Sequence, residues 1–94
     1  MYKVYLTESY FPAQGGDAPA PQTIGDMLRK SVAASPDTMA LQELGFDGEI
    51  GRRWTYSQLL ADSERLARAL ASRHEEGARI AVYANNVPEW VLLE

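Results

Sequence analysis

The chain of 94 residues has no cysteine, which excludes a disulfide framework, a thiolate metal site and a cysteine nucleophile within it. It has a single histidine, so no two-histidine metal pair is available, and no stretch carries the oxygen pattern of a calcium loop. Positive charge is also scarce, with 9 Lys and Arg against 13 Asp and Glu for a net charge of −4. A balance of that sign gives no broad attraction to phosphate backbones, so nucleic acid is not an expected partner. No window approaches the roughly 18 apolar residues of a membrane span. Met1 to Ser9 carry Lys3 but no apolar run of signal-peptide length. The expectation is a protein without a transmembrane segment that works in the cytoplasm.

What remains is ordinary globular composition, 46% hydrophobic and 23% charged. A chain of this size is one small domain or part of a larger one, able to bury roughly 60–65% of its unfolded surface. Residues 1–22 differ in kind from the rest. Tyr2, Val4 and Leu6 alternate with Lys3, Tyr5 and Thr7, the pattern of a short edge strand. Gln14-Gly15-Gly16-Asp17 and Ala18-Pro19-Ala20-Pro21 then favour irregular backbone, so 1–22 read as a flexible lead-in.

From Thr23 onward the signals sharpen. Its hydroxyl is placed to cap a helix, with Asp26 three residues on. Ile24, Met27, Leu28 and Ser31 follow at helical spacing, and Pro36 predicts an end near Ser35. Residues 39–55 read as a β-hairpin closed by a two-residue Asp47-Gly48 turn, both positions at positive φ. That closure sets Leu41 opposite Trp54 and Glu43 opposite Arg52. Gly45, Gly48 and Gly51 weaken the register, which leaves a longer loop open. Thr55-Tyr56-Ser57-Gln58 matches a capping box ahead of a long helix. Its apolar stripe is Leu59, Ser63, Leu66, Leu70 and His74, Glu64 is spaced to pair with Arg68, and Gly77 stands just past the end. Ile80-Ala81-Val82-Tyr83-Ala84 has the continuous apolar character of a strand covered on both faces. Asn86 and Glu89, with Pro88 in the first turn, predict one more helix, whose apolar face of Trp90, Val91 and Leu93 is unfinished at Glu94. The expected fold is therefore α/β: a partial layer with a β-hairpin, a buried strand and about three helices, truncated within the last helix.

Chemistry is sparse. His74, on the apolar side near the end of the long helix, is better read as a helix-end histidine than as a general base, because no serine is placed to need one. Glu75 and Glu76 are adjacent, with Asp62 and Glu64 near in sequence, and such carboxylates point apart; a solvated acidic surface is the simpler reading. Gly15-Gly16 and the Gly45, Gly48, Gly51 set neither open a helix after a buried strand nor end in Gly-Lys-Ser/Thr, so they are turn glycines rather than a phosphate loop. Trp54, Tyr56, Tyr83 and Trp90 are either core and contact aromatics or an aromatic binding face. No catalytic, cofactor-binding or metal residue is assigned.

The order of elements nevertheless resembles the start of the adenylate-forming superfamily, which includes acyl-CoA synthetases, luciferases and the adenylation domains of peptide synthetases. The residues that carry the resemblance are Thr23 to Leu28, Ser35-Pro36-Asp37 ahead of Ala40-Leu41, and Arg53 to Leu59. Leu66 to Leu70, Gly77 to Val82 and Asn86-Val87-Pro88-Glu89-Trp90 complete it. The longer hairpin tip from Phe46 to Gly51 departs from that pattern. Within the family, residues 23–94 would be the N-terminal segment of the AMP-binding domain, at one edge of a larger α/β/α subdomain. The resemblance implies a parent enzyme, an acid–thiol ligase, in which a carboxylic acid attacks the α-phosphate of ATP and coenzyme A then displaces AMP, with Mg2+ on the phosphates. The family's Ser/Thr- and Gly-rich loop ending in Pro-Lys, its Thr-Glu magnesium motif, its ribose-binding Asp and its C-terminal Lys have no counterpart among these residues. The expected partner of the segment is the remainder of its own parent chain. Two other readings stay open: an adenylation domain of a peptide synthetase, and a small interaction module binding through Trp54 and Trp90.

Overall fold

A computed structural model describes residues 19–94 together with positions 7, 12, 15 and 16. The expected edge strand at Tyr2–Leu6 lies outside the described residues, whereas Pro19–Gln22 are exposed and irregular. The elements run α1 (Ile24–Ala34), β1 (Met39–Leu44), β2 (Ile50–Thr55), α2 (Tyr56–Ala71) and α3 (Glu89–Leu93). This is the mixed α/β class expected from the sequence. α2 is the central element: α1, α3 and both strands pack on it.

Both long helices start where the sequence places them, and for the expected reason. Thr23 accepts a hydrogen bond from the Asp26 amide at 3.1 Å while Asp26 accepts one from the Thr23 amide. Thr55 and Gln58 repeat the arrangement at 3.2 and 2.9 Å. Each box satisfies two backbone donors that the first helical turn leaves without partners. α1 ends at the expected Ser35, whose amide donates to the Ser31 carbonyl.

The hairpin keeps the expected pairing of Leu41 with Trp54 and of Glu43 with Arg52, but not the expected turn. The Gly48 amide donates to Gly45 O and the Gly45 amide to Glu49 O, which closes a three-residue loop, Phe46-Asp47-Gly48. Of these three residues only Gly48 has a positive φ, at 83°. Asp47 keeps a negative φ and uses its carboxylate to accept from the Glu49 amide at 3.0 Å. The register then shifts between Gln42 and Leu44, so that Leu44 faces Ile50. Gly51 takes up the extra residue, and a Cβ there would lie 2.5 Å from the Glu43 carboxylate.

Four other expectations fail. α2 ends at Ala71, so His74 is not on its apolar stripe but in a bend beyond it, exposed. The Ser72 hydroxyl donates to Ala69 O, and the Arg73 and His74 amides both donate to Leu70 O, so the chain closes in a tightened turn that leaves the His74 side chain in solvent. Gly77, at φ 82°, serves a separate turn in which Ala78 donates to Glu75 O. Glu64 does not pair with Arg68; it lies 3.9 Å from Arg29 of α1. Ile80–Ala84 is not a buried strand. It runs without regular structure and is exposed throughout, with Tyr83 fully so. Its apolar character signals cover on both faces, but the described residues offer neither a third strand to pair with nor helices to cover it. Finally, Asn86 does not cap α3: helical backbone already begins at Pro88, and no side chain caps the turn.

Trp54 and Leu59 form the buried hydrophobic core. Leu59 sits one turn into α2, directly after the strand that carries Trp54, so the β2–α2 corner is the point of tightest packing.

Candidate functional site

Two features of the described residues are organised enough to examine for chemistry: a polar junction at the β2–α2 corner and an apolar groove between the helices.

The junction grows out of Arg52. Strand alternation places Arg52 on the same face as Trp54, and its guanidinium lies 5.4 Å from the Trp54 ring centroid. Its Nε donates to Glu43 Oε2 across the hairpin at 3.0 Å, and Nη2 donates to the same oxygen. Its Nη1 donates to Glu89 Oε1 at 2.6 Å, thirty-seven positions further along the chain. The Arg52 contacts hold both glutamates below the ordinary value of 4.5, and the two carboxylates in turn raise the guanidinium. From the ring edge, the Trp54 indole donates to Asp62 Oδ2 at 2.9 Å, and Asp62 also accepts from Arg65. Three carboxylates share two guanidiniums, each carboxylate in contact with one of them, so the junction joins elements and leaves no group poised to transfer a proton.

The pairing of Glu43 with Arg52 was legible from the hairpin spacing. The reach of Arg52 to Glu89 was not, because no local periodicity links a strand to a helix beyond the next one.

The groove has a volume of about 420 Å3 and is lined by side chains of α1, α2 and α3. Met27 and Leu28 of α1, Leu59, Leu66 and Leu70 of α2 and Leu92 of α3 are among the residues that line it. Among the described residues its one cation is Arg29, which is held by Asp26 and approached by Glu64. Such a lining suits apolar side chains and provides no converging donors for a polar ligand. Among the described residues there is also no group of three or more His, Cys, Asp or Glu side chains able to hold a metal.

The aromatic residues singled out in the sequence do not form one binding face. Trp54 is buried, the Trp90 indole donates to the Asn85 carbonyl at 2.8 Å, and Tyr83 stands free in solvent. No described helix is long and apolar enough to cross a membrane.

Comparison with known proteins gives one match. No curated protein and no solved structure matches the chain. Residues 28–94, more than two thirds of the length, match the family described as AMP-binding enzyme. The matched span takes in most of α1, the hairpin, α2 and α3, including the Arg52–Glu89 link between the hairpin and the last helix. The chain belongs to the AMP-binding enzyme family.

Proposed function

We propose that residues 23–94 are the N-terminal structural segment of an ATP-dependent, AMP-forming acyl-CoA synthetase. The parent enzyme converts a carboxylic acid, ATP and coenzyme A into acyl-CoA, AMP and pyrophosphate, and the 94 residues alone are inactive. The carrying observation is the family match over residues 28–94, which makes an adenylate-forming enzyme the ground for the finer reading. The acyl-CoA assignment rests on the resemblance of residues 23–94 to that branch and on the Tyr- and Pro-containing lead-in that precedes it.

The described residues do not fit a nucleoside triphosphate. The groove is apolar and its one arginine is already held by carboxylates, so no step of the ligase reaction is assigned to these side chains. They act as scaffold: α2 carries the hairpin on one side and α1 and α3 on the others, and the groove between the helices supplies apolar surface for the remainder of the parent chain.

The test is acid-dependent exchange of labelled pyrophosphate into ATP, measured with a panel of carboxylic acids on a protein that contains this segment. Exchange with fatty or other simple carboxylic acids, followed by AMP release on adding coenzyme A, supports the reading. Exchange with amino acids and no response to coenzyme A replaces it with a peptide-synthetase adenylation domain. Saturable ATP binding by the 94-residue chain overturns the scaffold assignment.

A further inference from the structure

Aspartate followed by glycine occurs once in the chain, at Asp47-Gly48, and the fold sets it in the three-residue loop at the hairpin tip. All three loop residues are exposed. Asp47 Oδ1 accepts from the Glu49 amide at 3.0 Å, and the ring closed by that bond contains Gly48 N. The carboxyl group is thereby folded back along the Gly48 peptide. A Cβ on Gly48 would meet nothing within 4 Å, so nothing crowds the loop on that side, and its amide makes one hydrogen bond, to Gly45 O. The other described aspartates lack this combination. Asp26 and Asp62 lie inside α1 and α2, where helical backbone fixes the amide that follows. Their carboxylates are held by Thr23 and Arg29 and by Trp54 and Arg65. Asp37 precedes Thr38, whose branched side chain crowds its own amide.

We propose that Asp47-Gly48 is a site of spontaneous covalent modification, at which the main-chain link passes from the α- to the β-carboxyl group of Asp47. Gly48 N attacks Asp47 Cγ. An N–Cγ bond forms, the C–OH bond of the protonated carboxyl group breaks, and the hydroxyl leaves with the amide proton as water. Glycine suits the step because it puts no side chain beside the attacking nitrogen. Water then opens the cyclic imide. Attack at Cγ returns aspartate, whereas attack at the Asp47 main-chain carbonyl carbon breaks its bond to Gly48 N and leaves isoaspartate. The net change is an isomerisation that consumes no other reactant. The product has one more carbon in the main chain and a free α-carboxylate where the side chain had met the Glu49 amide. Loop length and turn geometry are matched in a hairpin, so the lengthened tip no longer fits the bonds from Gly45 to Glu49 O and from Glu49 to Asp47. Because the tip is exposed, the new carboxylate is open to an isoaspartate-specific carboxyl methyltransferase.

Ageing the purified chain in neutral buffer tests this, with such a methyltransferase and labelled S-adenosylmethionine as the probe. Digestion and electron-transfer fragmentation assign the modified residue, and circular dichroism checks that each aged sample is still folded. Isoaspartate is expected to build up at Asp47, at least several-fold above Asp26, Asp37 and Asp62. Asp47→Glu, whose extra methylene requires a larger ring, should lose the signal at this position. Asp47→Asn should convert faster than the wild type, because ammonia leaves without prior protonation of a carboxylate, and the conversion reads directly as a gain in mass. A folded chain that stays unmodified while a urea-unfolded sample converts overturns the proposal, because the loop's hydrogen bonds then protect the site. So does isoaspartate spread evenly over these four residues, and so does its absence from both samples.

Discussion

The two glycines of the hairpin do different work at the scale of single residues. Gly48 is needed for its backbone: at φ 83° it occupies the left-handed region, while a Cβ there would meet nothing within 4 Å. Gly51 is needed for its lack of volume, since a Cβ would press on the Glu43 carboxylate that Arg52 holds. Gly48→Ala should therefore cost about 1–2 kcal/mol from backbone strain alone, measured by urea unfolding, and Gly48→Asn should cost clearly less. Residue chemistry also limits how much could be read in advance. Asp-Gly is the signature of a two-residue turn, yet here Asp47 keeps a negative φ and satisfies the Glu49 amide with its side chain. The dipeptide marks where the chain turns, but its loop length is decided by whether the strands can absorb an extra residue, as they do at Gly51.

Among elements, the strongest local signals proved the most legible. The caps at Thr23 and Thr55 formed as spaced, each within four consecutive residues, whereas the Asn86–Glu89 pattern of the same spacing did not. Thr55 also ends β2 and begins α2, so its loss acts on both elements. Thr55→Ala should cost about 1 kcal/mol or somewhat more, while Thr23→Ala, at the outer end of α1, should fall near or below that figure; thermal unfolding of the two variants compares them. Signals that depend on a partner were not legible. Ile80–Ala84 has the composition of an inner strand but no neighbour among the described residues, and the apolar faces of α1 and α3 were readable without any indication of the groove they enclose. As for the site, the sequence assigned no catalytic residue, and the one organised polar cluster was half visible, through Glu43 and Arg52. Its other half, Glu89, joins only when the chain is folded back on itself.

For the molecule as a whole, that cluster couples stability to pH. Glu43 and Glu89 are held below their ordinary value of 4.5, chiefly by hydrogen bonds from Arg52. A carboxylate depressed in the folded state contributes stability that is present above its unfolded value and lost as pH falls through the folded one. The link between the hairpin and α3 should therefore hold at neutral pH and loosen only below pH 4.5. The Trp90 indole proton, followed by NMR during an acid titration, should shift in that range, and in Arg52→Lys, which lacks the planar fork, the shift should come at higher pH. The same link has a consequence for the order of assembly. β1, β2 and α2 are neighbours in sequence and meet by closing short loops, whereas Arg52 reaches Glu89 only by closing one of thirty-seven positions, so its entropic cost falls late. The hairpin and α2 then form the nucleus on which α3 docks, and α3 is the first element to leave when the chain opens locally.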